Sequence, residues 1–192
     1  PSIPSGELEL SFETNGKGRM YATAFLEYFS KEEKIKGSGN EIFVKREYFR
    51  LTPTVVKKKT WRGEIDAQDY LKTKIEEGEE IKSGDLIEVK LSVESKNDYE
   101  YLVFEDFKAA GFEPVELKSG YIFEHGAHMN MELRDKKVVF FMSGLKQGTQ
   151  AITYKMRAEI PGKFNALPHK AYAMYAPRVR AISDSNVIDI VP

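Results

Sequence analysis

The sequence contains no cysteine among its 192 residues. Disulfide bonds, thiolate nucleophiles and zinc sites with sulfur ligands are therefore excluded for this chain. The redox compartment stays open, because a domain without cysteine folds in oxidising and reducing conditions alike. Long hydrophobic runs are also missing, since no apolar segment approaches the roughly 20 residues that span a bilayer.

A dominant charge is absent as well, because 29 basic and 30 acidic side chains give a formal net charge of -1. No overall field then attracts nucleic acid or an anionic membrane, and we expect neither as a partner of this chain. One basic run, Lys57 to Lys59, lies beside Trp61. Cations next to an aromatic ring are also used to bind single strands, but a solvated loop is the favoured interpretation.

The first residues, "PSIPSGELEL" from Pro1, contain no initiator Met, no basic segment and no apolar leader. We therefore expect the chain to be a fragment of a longer protein. Any targeting signal would then lie outside it.

Apolar and polar residues alternate along most of the chain, with the period of two that is typical of half-buried strands. The alternation is clearest at Leu8 to Phe12, Glu88 to Val93, Ile152 to Ala158 and Ile188 to Ile190. Weaker candidates are Arg19 to Phe29, Ile42 to Leu51, Tyr70 to Ile75, Glu100 to Phe104, Met129 to Arg134, Val138 to Met142 and Ala171 to Met174.

Turn-forming residues separate these segments, and Glu132 to Phe140 has the pattern of a hairpin. Helix signals are few: Asp106 to Ala110 is compatible with one turn, and Ile65 to Glu80 has helix-favouring residues without an apolar stripe. Many short strands joined by turns predict an all-β fold, an antiparallel β-sandwich.

Histidine offers the only hint of metal or nucleophilic chemistry. His125 and His128 have an H-x-x-H spacing close to Glu124 and Glu132, which permits a metal site. On a strand, however, residues three apart point to opposite faces, so two loop histidines are the favoured interpretation. His169 has no nucleophile motif nearby, and no G-x-S-x-G or P-loop occurs. We therefore expect no metal, no cofactor and no enzyme activity.

Glu105 and Asp106 are adjacent carboxylates at the end of an apolar run. Neighbours on a strand point to opposite faces and cannot share a proton, so a catalytic pair is disfavoured. We predict that the strand ends at Phe104 or Glu105, that Asp106 caps the next turn, and that Gly111 lets the chain pass close to a neighbour. Glu105, Asp106, Gly111 and Pro114 are thus assigned to a structural turn.

Two long stretches carry a family resemblance. The segment Asn97 to Gly120, "NDYEYLVFEDFKAAGFEPVELKSG", and the segment Glu132 to Ile190, with "YKMRAEIPGKFNALPHKAYAMYAP" inside it, resemble the C-terminal domain of bacterial alpha-2-macroglobulin-like proteins. Upstream, "NGKGRMYATAFLEYFS" and "NEIFVKREYFRL" are similar to the same region.

The resemblance implies a macroglobulin-like β-sandwich of the fibronectin type III or immunoglobulin-like kind over residues 36–192. It implies returning strands of a preceding CUB-like module over residues 1–35. It also implies that the parent is a protease trap of the periplasm or cell envelope, in which cleavage of a bait region exposes a Cys-Gln thioester. Since this chain has no cysteine, any thioester lies elsewhere in the parent, and some bacterial members have none.

In the family, the terminal domain packs against the thioester domain, so the partners implied are the thioester and CUB-like domains of the same parent and, through the parent, target proteases. Such a contact needs an exposed apolar patch with a polar rim. Our candidates are Tyr172, Met174, Tyr175 and Arg178 in "YAMYAPRVR", although half of them would equally suit the core. An adhesin or carbohydrate-binding module is the alternative, because β-sandwiches host many unrelated sites.

Overall fold

The computed structural model describes residues 9–22, 34–61, 63–115, 119–124 and 127–192. The chain divides into two compact units, Pro1–Glu32 and Glu33–Pro192. In the first unit, the described residues 9–22 form neither strand nor helix. The assignment of residues 1–35 to a CUB-like module stays a prediction.

Two predicted strands fall in this first unit. The one at Leu8 to Phe12 is wrong over its described part, 9–12, which is irregular. The one at Arg19 to Phe29 lies mostly outside the described residues. Alternation alone does not make a strand, because a strand is stable only when neighbours pair with it and cover one face.

The second unit is built from β-strands, and its described residues contain no helix. The strands are β1 (Ser38–Gly39), β2 (Ile42–Thr60), β3 (Gly63–Ile75), β4 (Glu80–Lys82), β5 (Leu86–Ser95), β6 (Tyr99–Phe107), β7 (Phe112–Pro114), β8 (Gly120–Glu124), β9 (Ala127–Leu133), β10 (Lys137–Leu145), β11 (Gly148–Ala158), β12 (Gly162–Ala166), β13 (Lys170–Ala173), β14 (Ala176–Ile182) and β15 (Asn186–Val191). The all-β class that the alternation predicted is confirmed.

The strands form three sheets. A seven-stranded sheet has the order β1-β14-β13-β6-β10-β9-β8, and a five-stranded sheet has the order β3-β2-β5-β11-β7. A small third sheet has the order β12-β15-β4. The β15–β4 pair is parallel, and the other described pairs are antiparallel. The predicted antiparallel sandwich is thus confirmed, with one parallel pair at its margin.

The two larger sheets contribute to one hydrophobic core. Phe104 and Phe140 are fully buried residues of the seven-stranded sheet, and Leu91 and Tyr154 are buried residues of the five-stranded sheet. The rings of Phe140 and Tyr154 meet across the core with their centroids 5.8 Å apart. Aromatic pairs at this separation stabilise beyond the area they bury, so this contact helps to hold the two sheets together.

The hairpin predicted at Glu132 to Phe140 is present as β9 and β10, and the amide N–H of Arg134 donates to the carbonyl of Lys137 over 2.9 Å. The helix-favouring segment from Ile65 onward is β3 instead. Pairing with β2 along its whole length overrides the weak helical preference of its residues.

Strand β6 is longer than predicted. Glu105, Asp106 and Phe107 all pair with β10, so the strand ends at Phe107 rather than at Phe104 or Glu105, and the single helical turn considered from Asp106 onward does not form. The predicted end was wrong because the partner strand β10 is long enough to keep pairing with these residues.

Gly111 lies in the turn between β6 and β7. Its carbonyl accepts hydrogen bonds from the N–H of Glu159 (2.9 Å) and of Ile160 (3.3 Å). A Cβ added at Gly111 would lie 2.5 Å from a ring carbon of Phe164 and 2.8 Å from the carbonyl oxygen of Ile160. Pro114 closes the short edge strand β7, a place where a missing N–H is tolerated.

Candidate functional site

The adjacent acids Glu105 and Asp106 have different surroundings because they point to opposite faces of β6. Glu105 is part-buried and pairs with Lys137 of β10. The side chain of Asp106 points into the core and is only 1% exposed. Asp106 is therefore a buried charge, and the turn-capping role predicted for it was wrong.

The charge of Asp106 is balanced by Arg46 of β2, whose Nη1 donates to Asp106 Oδ1 over 2.7 Å. Every N–H of this guanidinium has an acceptor. Nη1 also reaches the carbonyl of Phe107 (3.3 Å), Nη2 reaches the carbonyl of Ala166 (3.0 Å), and Nε and Nη2 both donate to Asn186 Oδ1 (3.2 Å). The side chain of Arg46 is 1% exposed, so the fold fully replaces the water that it loses.

Protonation within this buried cluster follows from its surroundings. Burial disfavours the charged form of Arg46. The electrostatic interactions with the neighbouring Tyr48 and Asp106 outweigh this effect and raise the pKa of Arg46 above its ordinary value. Burial, followed by the charge of Asp106, raises the pKa of Tyr154 well above its ordinary value. Arg46 is therefore charged at neutral pH, and Tyr154 keeps its proton.

The Tyr154 hydroxyl donates that proton to Asp106 Oδ2 over 2.5 Å. His169 is fully buried, its Nδ1 is 3.8 Å from Asp106 Oδ1, and its ring stacks on Phe104 with a 6.0 Å centroid separation. Burial lowers the pKa of His169 to about 4, so the imidazole is neutral at neutral pH. The cluster ties β2, β6 and β11 together inside the core. A substrate could not reach these buried atoms, so the role of the cluster is structural.

Metal ligation finds no support in the described residues, since no group of three or more His, Cys, Asp and Glu side chains there could hold an ion. His128 is an exposed residue of β9. Its proposed companion His125 lies outside the described residues. In the described parts of the chain, no helix is both long and apolar enough to cross a bilayer.

An exposed cluster of large side chains lies at one end of the seven-stranded sheet. It consists of Tyr101, Tyr121, Met174 and Tyr175, which are 50%, 90%, 46% and 79% exposed. We call these four residues the aromatic patch. Tyr121 of β8 lines the same groove as Tyr101 and Met174. Large exposed apolar groups in one surface region are typical of an interaction surface.

The patch is held by contacts between β6 and the β13–β14 turn. The rings of Tyr101 and Tyr175 meet edge to face, with centroids 5.4 Å apart and an angle of 83° between their planes. The N–H of Met174 donates to the carbonyl of Tyr101 over 2.8 Å. Tyr101 has a φ of 55°, a left-handed conformation that is unfavourable for a residue with a bulky side chain. The surrounding structure maintains this strain, and strained residues are often found at functional sites.

A shallow groove of about 300 Å³ opens beside the patch, and Tyr101, Tyr121 and Met174 contribute to its walls. Phe141, which is half-buried, and the polar Asn130 also line it. The groove is therefore lined mainly by apolar and aromatic side chains with a few polar ones, which suits an apolar side chain of a partner.

The structure brings together only two of the four predicted contact residues. Met174 and Tyr175 lie in the β13–β14 turn and belong to the aromatic patch. Tyr172 is half-buried on β13 and lines a separate cavity. Arg178 is an exposed residue of β14 whose carbonyl accepts a hydrogen bond from the Asn40 side chain. That these four residues contact another domain of the parent remains a proposal.

Sequence reasoning missed Tyr101 and Tyr121. Both lie in strands, where the alternation of residues predicts which side chains share a face but not whether that face is exposed. Tyr101 meets Tyr175 because β6 pairs with β13, and Tyr121 lines the same groove as Tyr101 from the other side of β10 and β9. The sequence alone does not show this strand order.

Comparisons with known proteins agree with this architecture. A family model described as the bacterial alpha-2-macroglobulin MG10 domain matches residues 42–178. No curated protein is matched.

Among solved structures, a mutant of Salmonella alpha-2-macroglobulin aligns with a TM-score of 0.59 and 18% identity, over 82% of this chain and 10% of that one. Escherichia coli alpha-2-macroglobulin activated by porcine elastase gives a TM-score of 0.60 and 20% identity, over 82% and 14% of the two chains. A native Escherichia coli alpha-2-macroglobulin fragment running from domain MG7 to the C-terminus gives a TM-score of 0.57 and 16% identity, over 81% of this chain and 24% of that one.

The chain thus spans 10% to 24% of the length of these structures. At this level of identity the structural matches support the fold, and the family model, which covers more than half of the residues, supports the family. The chain belongs to the family of bacterial alpha-2-macroglobulin MG10 domains.

Proposed function

We propose that this chain is the non-catalytic C-terminal interaction domain of a bacterial alpha-2-macroglobulin-like protease inhibitor, and that its aromatic patch packs against the thioester domain of the parent and shields it from water. The observation that carries the proposal is the patch itself: Tyr101, Tyr121, Met174 and Tyr175 are all exposed in this chain. The parent would act in the periplasm or cell envelope.

The chemistry of the patch suits a shielding contact. A thioester hydrolyses when water reaches it, so its cover has to exclude water, and large tyrosine and methionine side chains do so with little polar surface. Tyrosine is also enriched among the residues that dominate binding energy at interfaces. Because Tyr101 already holds Tyr175 edge to face, less side-chain freedom is lost when a partner docks.

Descriptions of the similar structures support the wider mechanism. One is Salmonella alpha-2-macroglobulin reacted with methylamine, and others are the Escherichia coli protein activated by trypsin or by elastase. Methylamine is an amine nucleophile that opens activated acyl groups such as thioesters. If the parent of this chain reacts in the same way, its partners are target proteases, and cleavage by such a protease activates the trap.

The contact is tested by placing photoreactive benzoylphenylalanine at position 175 in the full-length parent. Illumination before protease treatment should cross-link this position to the thioester domain, and peptide mass spectrometry identifies the partner segment. The matched control carries the same group in place of Trp61, an aromatic residue that is 86% exposed at the tip of the β2–β3 hairpin. The control should give no cross-link to the thioester domain.

Cleavage by a protease should abolish the cross-link from position 175, because the shield has to move before the thioester can react. A cross-link that persists unchanged after cleavage, or one to a different domain, would refute the shielding role. A parent without any thioester would leave the adhesin alternative as the better account of the exposed tyrosines.

A further inference from the structure

The cavity that Tyr172 lines has a volume of about 750 Å³ and lies at the edge of the seven-stranded sheet formed by β1, β14 and β13. Lys170 and Tyr172 of β13 and Arg180 of β14 contribute to its walls. Their neighbours Ala171 and Ala181 are buried in the core, so the alternation of the strands places all three side chains on the outer face of the sheet. A cavity of this size is typical of a small-molecule site.

Strand pairing fixes how these side chains are arranged. Tyr172 faces Arg180 directly across the β13–β14 pair, and Lys170 faces Ile182. Lys170 and Arg180 are therefore diagonal neighbours, with their Cα atoms about 7 to 8 Å apart, a separation that two long side chains can bridge. Both residues are exposed, so two cations meet at the opening of the cavity.

Neither cation is neutralised by the described part of the chain, where no carboxylate lies within ion-pair distance of Lys170 or Arg180. The acid opposite Lys170 on β6 is Glu105, and it pairs with Lys137 instead. Like charges that lie close together without a counter-ion repel each other. Since the whole chain has a net charge of -1, a basic composition does not explain this pair. A bound anion would remove the repulsion.

Other side chains at the cavity add hydrogen-bond donors. Ser38 and Tyr172 each contribute a hydroxyl group, which can donate one hydrogen bond. Asn40 borders the cavity with its amide already engaged: its Nδ2 donates to the carbonyl of Arg178 over 2.5 Å, and its Oδ1 accepts from the N–H of Glu41 over 2.8 Å. Asn40 therefore holds the end of β14 in place, beside a set of side chains that includes no carboxylate.

We propose that this cavity binds a soluble phosphate monoester, with Arg180 and Lys170 on the phosphate and Tyr172 beside the organic group. Such a phosphate carries about 1.5 to 2 negative charges at pH 7 and three strong acceptor oxygens. Two cations and two hydroxyl groups match it better than they match a singly charged carboxylate. Arginine suits phosphate because its planar fork donates two parallel hydrogen bonds. Tyr172, Pro177 and Ile182 offer apolar area to the organic part.

Lys170 has to give up one contact to take part. Its ammonium lies 5.6 Å from the centre of the Phe107 ring. A cation–π contact at an exposed site is weaker than a hydrogen bond between charged groups, so a phosphate displaces it. The flexible four-carbon stem of lysine lets the ammonium turn toward Arg180.

A soluble ester fits this surface better than a lipid headgroup does. Docking on an anionic membrane requires a broad positive field, and the net charge of -1 provides none. The cavity is also distinct from the groove beside the aromatic patch, because no described residue lines both. The proposal is therefore independent of the shielding role.

Titration of the full 192-residue chain with phenyl phosphate, followed by amide NMR spectra at neutral pH and constant ionic strength, tests the proposal. The largest shifts should occur at the amides of Gly39, Ala171 and Ala181, which line the cavity. Benzoate is the matched control ligand, because it keeps the ring and replaces the phosphate with a carboxylate. It should bind at least about fivefold more weakly, since it carries less charge and fewer acceptor oxygens.

Arg180→Gln and Lys170→Gln should each weaken the binding of phenyl phosphate at least about tenfold, because each removes a charge that contacts the phosphate. Both residues are exposed, so the variants should fold as the wild type does. Lys163→Gln is the matched control: it removes one exposed lysine charge on β12 of the small third sheet, outside the cavity. This variant should change the dissociation constant by less than about twofold, because salt screens a distant charge.

Three results would overturn the inference. Absence of binding, shifts scattered over the surface lysines, or equal weakening by Lys163→Gln would mean that no specific site exists. Equal affinity for benzoate would refute the choice of phosphate. Arg180-dependent binding to vesicles that contain phosphatidic acid, a phosphate monoester on a lipid, would refute the soluble source. All of these outcomes leave the shielding proposal untouched, because cross-linking from position 175 is measured in the parent without any phosphate ester.

Discussion

Replacing Asp106 with Asn should cost about 3 to 5 kcal/mol of folding free energy, because it removes one partner of a buried ion pair. The substitution keeps the shape of the side chain, removes its charge, and turns one of its two acceptor oxygens into an NH2 donor. The side chain of Arg46 is 1% exposed, and a guanidinium is effectively always protonated, so it stays charged without a counter-ion. A domain is typically stable by about 5 to 15 kcal/mol, so this loss is a large share of the total.

The neighbouring residue provides the control. Glu105→Gln makes the same chemical change at a pair whose two side chains are 17% and 24% exposed, and it should cost less than about 1 kcal/mol. Both variants are unfolded in urea and followed by far-ultraviolet circular dichroism. Tryptophan fluorescence is a poor probe here, because the single tryptophan, Trp61, is 86% exposed even in the folded chain.

Similar free energies for Asp106→Asn and Glu105→Gln would refute the reasoning, since they would mean that burial of the pair has no energetic consequence. A second check uses the double variant Arg46→Met/Asp106→Asn, which should recover part of the loss because the uncompensated charge is gone.

Three further outcomes follow from the same structure. Gly111→Val should lower the free energy of unfolding by at least about 2 kcal/mol, because a Cβ at this position would clash with backbone. Gly144→Val should be tolerated, because nothing lies within 4 Å of the added Cβ. Equal melting temperatures for the two variants would contradict this reasoning. The pKa of His169 is lowered from 6.5 to about 4 in the folded chain, so between these pH values the unfolded chain binds more protons than the folded chain. The free energy of unfolding is therefore highest above pH 6.5 and falls by up to about 3 kcal/mol as the pH drops to 4. His169→Gln should flatten urea-derived stability over that window, and an unchanged slope would contradict it. Tyr154→Phe removes the hydroxyl that donates to the buried Asp106 carboxylate and should cost about 1.5 to 3 kcal/mol by urea unfolding. A neutral result would contradict that bond.

The fold class was predictable because the period of two survives in most of the strands. Strand β5, for example, buries Val89, Leu91 and Val93 on one face, as the alternation indicates. Strand ends were less predictable, since they depend on the length of the partner. Asp106 was placed in a turn because sequence gives no sign that β10 pairs that far.

The buried ion pair did leave a signal. Arg46 shares the strand phase of Ile42 and Tyr48, both buried, and Asp106 shares the phase of Leu102 and Phe104. A charge in an apolar phase needs a buried partner of the opposite sign. Two such charges in one chain therefore indicate a pair, although the sequence does not show which strands meet.

The candidate site was only half predictable. Met174 and Tyr175 were found through the density of aromatic residues near the end of the chain. The expected strand alternation across them was wrong, because β13 ends at Ala173 and both residues lie in a turn. The other two tyrosines of the patch come from distant strands, and only the sheet order brings them together.

The central claim is that the aromatic patch shields a thioester in the parent, and thiol release from the full-length protein tests it most directly. Since this domain contributes no cysteine, a released thiol reports on the rest of the parent. Without protease, the wild type should release none, and limited proteolysis should release it. The Met174→Ala/Tyr175→Ala variant should release it spontaneously, whereas Trp61→Ala should behave as wild type. A double variant that retains its thiol until cleavage, as the wild type does, would contradict the account.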